Sequence, residues 1–171
     1  MKRVMSLCLT IVLAMWSLAA QNGAQLSQSW RPPTAADLGS ADDQKWREEN
    51  PARYLVVTGD FDGDGKPDEA RLMVRGDGKA FALFVKLAAR DAAQKLDEFP
   101  DVSKLPAMGI KRVAPDRYPT ACARGLDCAE DEPRYIIVKH DAIDYFRHDQ
   151  SNRYYYWNES RHAFAQVGIN D

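Results

Sequence analysis

The clearest pattern of apolar and polar positions in the chain lies over residues 69–75. Ala70, Leu72 and Val74 alternate with Glu69, Arg71, Met73 and Arg75. A period of two places the two sets on opposite faces of an extended backbone. Similar short β-branched or aromatic runs predict strands over residues 53–58, 80–87, 109–113, 134–139, 143–148, 153–157 and 163–167. Turn residues separate them, notably Gly76-Asp77-Gly78-Lys79 and Asn158-Glu159-Ser160-Arg161. Residues 88–99 carry only a weak apolar stripe (Ala92, Leu96, Phe99) and fit a short helix or a long loop equally. Residues 114–133 have no period and are expected to be irregular. Ahead of the strands, Ser40 begins a capping box with Asp43 in the N3 place. Residues 41–49 have helical composition, Asn50-Pro51 stops them, and Trp46 is the expected core-facing anchor.

The crossover spacing of a parallel sheet is missing, and no segment repeats. The pattern predicts a mainly β (β-rich α+β) domain over residues 40–171. Its expected form is an antiparallel curled sheet, or a small sandwich or barrel, of about seven strands with one or two short helices.

The first residues read differently. Lys2 and Arg3 precede an apolar run over residues 4–18, and Ser17-Leu18-Ala19 supplies small residues for cleavage after Ala19 or Ala20. This is the pattern of a signal peptide, and the run is short of the ~20 residues a membrane span needs. Residues 20–39 are expected to be a flexible leader. Cleavage after residue 19 would leave 152 residues, and loss of Lys2 and Arg3 would move the net charge from −2 to −4. Such a balance gives no footprint for nucleic acid or anionic lipid. Cys8 would leave with the signal peptide. Cys122 and Cys128 would remain, an even pair that should bond in an oxidising compartment. Closing so short a loop stabilises by about 2–2.5 kcal/mol in the chain-entropy account. The expected location is exported, periplasmic or secreted.

The densest chemistry lies in Asp60-Phe61-Asp62-Gly63-Asp64-Gly65-Lys66-Pro67-Asp68. Aspartates stand at loop positions 1, 3, 5 and 9 and a glycine at position 6. In a Ca²⁺ loop of this spacing alternate carboxylates turn inward, and the carbonyl at position 7, here Lys66, adds a ligand. Four carboxylates in nine residues repel one another unless a cation neutralises them. The expected ligands are Asp60, Asp62, Asp64 and Asp68 with the Lys66 carbonyl, and the expected ion is Ca²⁺. The same residues also suit a metal-free Asp/Gly turn. An EF-hand is not formed: position 12 is Arg71 instead of a bidentate Glu, and strands flank the loop.

On residues Gly59 to Ala70 the chain resembles the FG-GAP/VCBS type of repeat, in which such a loop binds calcium between two strands. The resemblance is confined to the loop and its flanks, and only one copy is present, so a propeller is not implied. From residue 105 onward the chain is also similar to a family of small, uncharacterised exported bacterial proteins. The residues that carry this are Tyr118-Pro119-Thr120-Ala121-Cys122, Gly125-Leu126-Asp127-Cys128, Glu132-Pro133, residues 141–146 and Tyr155-Tyr156-Trp157. That likeness implies an architecture and no activity.

Other reactive groups have a plainer reading. His140-Asp141 and His148-Asp149 repeat one dipeptide, and a histidine beside a carboxylate is general-base chemistry. Both stand at the ends of a predicted hairpin, where polar pairs are common. No activated serine, zinc helix or phosphate loop occurs. Tyr154, Tyr155, Tyr156 and Trp157 lie on one strand, so one alternate pair should pack inward and the other could offer a partner surface; burial on both faces is the competing reading. The chain is expected to be a monomeric, non-enzymatic, calcium-binding interaction module whose partner is a protein or an envelope glycan. A metal-dependent hydrolase acting on envelope material is the alternative.

Overall fold

The computed structural model describes residues 29–48, 50–128 and 130–170. The expected signal peptide, and the leader up to residue 28, lie outside the described residues. Within them the fold is mainly β. The strands are β1 (Trp30–Arg31), β2 (Val56–Gly59), β3 (Asp68–Arg75), β4 (Phe81–Lys86), β5 (Gln94–Phe99), β6 (Met108–Val113), β7 (Asp116–Pro119), β8 (Tyr135–Val138), β9 (Ala142–Arg147), β10 (Asn152–Asn158) and β11 (Ala163–Asn170). All their pairings are antiparallel. One sheet runs β1-β3-β4-β5, with β2 sharing the outer edge of β3 with β1. A second runs β11-β10-β9-β6, and β7 and β8 form a two-stranded ribbon. No barrel closes among them.

The alternation that predicted β3 is what the fold uses. Asp68, Ala70, Leu72 and Val74 are buried, and the residues between them are half-buried. Ala70, Leu72 and Val74, with Phe81, Leu83 and Val85 of β4 and Phe61 from the loop before β3, meet Met108, Ile110, Ile143, Tyr145 and Tyr155 of the second sheet in one core. A smaller cluster, Val113, Ile136, Val138, Ala142, Val167 and Ile169, fills the space between the second sheet and the ribbon. Burial of this apolar surface at about 25 cal/mol per Å² is the main favourable term.

Four expectations are corrected. Residues 88–99, read as helix or loop, contain strand β5, which pairs with β4 through a bulge at Leu83 and Phe84. Leu96 and Phe99 pack on the core, so a partner strand overrides helical composition. Residues 114–133, expected to be irregular, supply β7 and a 3-10 turn, Ala121–Arg124. The expected helix over residues 41–49 shrinks to the 3-10 turn Lys45–Arg47. Its amides bond three residues back, as Gln44 to Ala41 and Arg47 to Gln44; so short a segment does not repay helix nucleation. The capping box does form, with Ser40 N donating to Asp43 Oδ2 at 2.8 Å and Asp43 N to Ser40 Oγ at 3.3 Å. Last, ordered structure begins before Ser40. Trp30 and Arg31 pair with Arg75 and Val74, Trp30 meets Phe84 edge-on at 5.2 Å, and Arg31 pairs with Asp37 at 2.6 Å.

Beside Trp46, Arg47 is fully buried. Its guanidinium donates to the carbonyls of Arg53, Leu105, Pro106 and Met108 at 2.5–3.5 Å. Burial lowers its pKa to about 10. Arg47→Met keeps an apolar stem but strands those carbonyls, and should cost about 3 kcal/mol in urea unfolding. The Cys122–Cys128 bond is formed, with Cα atoms 5.4 Å apart. Cys122→Ser should lower stability by about 2 kcal/mol in the same measurement.

Candidate metal centre

The Asp-rich loop runs from the end of β2 to the first residue of β3. Two glycines turn it: Gly63 and Gly65 have φ of +79° and +80°, a region that side chains disfavour. At Gly63 a Cβ would also stand 2.3 Å from the His140 ring, so that position is closed on two counts. Phe61 is fully buried and plugs the loop into the core.

Backbone amides aim the carboxylates. Gly63 N donates to Asp60 Oδ1 at 2.8 Å and Gly65 N to Oδ2 at 3.0 Å. Asp64 N donates to Asp62 Oδ1 at 3.2 Å. Asp68 is 1% exposed. Its Oδ2 accepts from Phe61 N at 2.8 Å and its Oδ1 from Ala88 N at 2.7 Å. One oxygen each of Asp60, Asp62 and Asp68 lies within 4.8 Å of the others. Burial raises the Asp62 pKa, and the charges of Asp68, Asp64 and Asp60 raise it further. A set of oxygen donors alone suits a hard cation such as Ca²⁺ or Mg²⁺ and not zinc or copper.

Of the expected ligand set, Asp64 does not converge with the rest. Its Oδ1 accepts from Lys66 N at 2.8 Å, and its Oδ2 lies 3.5 Å from Lys66 Nζ. Arg71 points along β3 to Glu69, as a strand residue and not as a loop ligand.

One supporting residue carries no sequence signal. Asp141 lies 81 positions beyond Asp60, yet its Oδ2 accepts from Asp60 N at 3.1 Å and its own N donates to Asp60 O at 3.1 Å. Arg112 pairs with it at 3.5 Å. His140, next in line, packs against Gly63 and has Nε2 at 3.2 Å from Glu159 Oε1. His148 stands past the other end of β9, stacked on Trp46 at 4.7 Å. The repeated His-Asp dipeptides therefore serve separate neighbourhoods.

The aromatic strand keeps its alternation but leaves neither pair clear of the protein. Tyr155 is buried and donates to Asp97 Oδ2 at 2.8 Å, while Trp157 packs on the same core and meets Phe164 edge-on. Tyr154 and Tyr156 pack on the smaller cluster, with Tyr118 edge-on to Tyr154 at 5.2 Å. The β7–β8 ribbon, whose first strand the sequence concealed, covers that second face. Burial raises the Tyr154 pKa to about 12.

No family model, curated protein or solved structure matches the chain. Among the described residues no helix is long and apolar enough to cross a membrane.

Asp68→Asn tests the architecture of the loop without metal. An amide places an NH₂ against one of two donating backbone N–H groups, so the variant should lose about 1–3 kcal/mol in calcium-free urea unfolding.

Proposed function

We propose that the protein is an exported calcium-binding module that engages a partner without turning it over. The observation that carries the calcium reading is the convergence of Asp60, Asp62 and Asp68 on a tight β2–β3 loop. The Asp-x-Asp-x-Asp-Gly spacing and the resemblance to an FG-GAP/VCBS loop support it. On this reading Asp60, Asp62 and Asp68 supply the first oxygens, the Lys66 carbonyl adds one, and Asp64 joins by rotating away from Lys66. Export rests on the signal-like run over residues 4–18, and the disulfide fits an oxidising compartment.

The binding reading is preferred to a metal-dependent hydrolase for a geometric reason. The loop abuts the Asp141 end of β9. His148 stands past the Arg147 end, and the cleft it lines reaches back along β9 as far as Asp144, three residues or roughly 10 Å of strand from Asp141. A cation held by the loop would not reach a substrate in that cleft.

Calorimetric titration with CaCl₂ should give heat with a Kd of about 10⁻⁴–10⁻³ M, and a melting temperature that climbs with calcium. Asp60→Asn should remove both effects. Absence of heat and of any thermal shift at several millimolar calcium would refute the calcium reading.

A further inference from the structure

A cleft of about 630 Å³, within the size range of ligand sites, opens where β9 ends. Four partly exposed rings line it. Trp46 lies nearly parallel to Tyr54, at 5.4 Å and 13°, and to His148, at 4.7 Å and 12°. Phe146 meets Trp46 and Tyr54 edge-on at 5.8 Å and 5.5 Å. The cleft is also lined by Asp144, a carboxylate 1% exposed. Asn152 Nδ2 donates to Asp144 Oδ1 at 3.0 Å, and Lys111 Nζ lies 3.3 Å from Oδ2. Burial raises the pKa of this carboxyl, and the Lys111 charge opposes that shift.

A second cavity, of about 320 Å³, adjoins the first, and Arg147 and Asn152 line both. At this partition Arg147 Nε and Asn152 Oδ1 are buried with no hydrogen-bond partner, and so is the hydroxyl of Tyr145, which lines the second cavity. Folded proteins leave few such groups, and each calls for an explanation. Backbone strain is present as well. Tyr54 at φ +67° and Asp149 at φ +54°, both lining the cleft, hold a conformation that a bulky residue such as tyrosine rarely takes.

We propose that this cleft binds a neutral saccharide. The faces of Trp46 and Tyr54 are taken up by each other, by His148 and by Arg47 and Arg53, so the stack borders the cleft with ring edges and with its His148 end, and the carboxylate, amide and ammonium beside it can accept from or donate to sugar hydroxyls. The cleft carries no strong net charge to select an ionic ligand: Lys111 and Arg147 stand against Asp144 and Asp149, with Lys111 paired to Asp144 and His148 beside Asp149. The inference rests on the reading of the chain as a binding module, names the chemistry of its partner, and moves the partner site from the aromatic strand to this cleft.

The test is saturation-transfer NMR on the purified protein with cellobiose, maltose and N,N′-diacetylchitobiose as probes. At least one should receive saturation at its ring C–H protons. His148→Ala, at the exposed end of the stack, should weaken binding by about tenfold with the melting temperature nearly unchanged, whereas Lys111→Ala should weaken it comparably and also lower the melting temperature, because it leaves the buried Asp144 without its cation. Asp144→Asn, if it folds, should weaken it further. Saturation transfer to none of the three probes, or binding that neither surface variant changes, overturns the proposal. A calcium titration of the same sample separates the two readings. Calcium heat without saccharide binding removes only the cleft assignment, and saccharide binding without calcium heat removes only the metal site.

Discussion

A buried guanidinium organises the amino-terminal third of the described chain. Arg47 has no carboxylate within ion-pair reach among the described residues, yet its side chain is out of contact with solvent. A charge in that position persists only where fixed dipoles replace its water. Four carbonyls do so here, three from residues 105–108 leading into β6 and one from the Arg53 turn ahead of β2. The same guanidinium lies 4.2 Å from the centre of the Trp46 ring. The contacts that bury Arg47 therefore also set Trp46, whose indole donates to Pro106 O at 3.1 Å. Tyr54 and His148 then stack on a ring that is already held. The aromatic wall of the cleft is a consequence of burying one arginine.

The metal loop follows the opposite logic. Its negative charge is held mainly by neutral backbone donors, with Lys66 beside Asp64 as the nearby cation. Asp68 joins the amides of Phe61 and Ala88, so it ties the loop to the exit of β4. Asp60 joins the amides of Gly63 and Gly65. These bonds fix the positions of Asp60 and Asp68, while burial, with the charges of Asp68, Asp64 and Asp60, raises the pKa of Asp62. Asp60, Asp62 and Asp68 are preorganised in this way, so a cation would meet the ordering cost chiefly at Asp64, which has to turn away from Lys66.

How far the sequence was legible depended on whether its signals were local. Strand β3, with its clear alternation, and β4 and β9, as short β-branched or aromatic runs, could be read directly, because both signals are properties of neighbouring residues. The Asp60–Asp68 loop was legible for the same reason. Strand β5 was not, since Lys95, Asp97 and Glu98 dilute its pattern and only its pairing with β4 makes it a strand. Arg47 read as one more charged residue in a helical stretch, because its acceptors lie up to 61 positions away. The cleft was invisible for the same cause. Trp46, Tyr54, Lys111, Asp144 and His148 come from five places in the chain, and no spacing relates them. Tyr154 to Trp157 could be read as an alternating strand, but β7, the first strand of the ribbon that covers its second face, came from residues that looked irregular.

β9 relates the two candidate sites. It lies between β6 and β10, and its first four residues are buried. The loop rests on Asp141 just before this strand, and the cleft on the strand from Asp144 onward and on the residues after it. A strand paired on both sides does not shorten or slip without breaking its ladders, so the sites stand at a fixed separation. Calcium at one end would then act on a ligand at the other through the stability of the shared sheet, not through coordination. Coupling of that kind requires an element with two arrangements that both sites bias. A centrally paired, buried strand offers one arrangement. On the two proposals taken together, calcium should stabilise the fold that presents the cleft while leaving the cleft's intrinsic affinity for its saccharide unchanged.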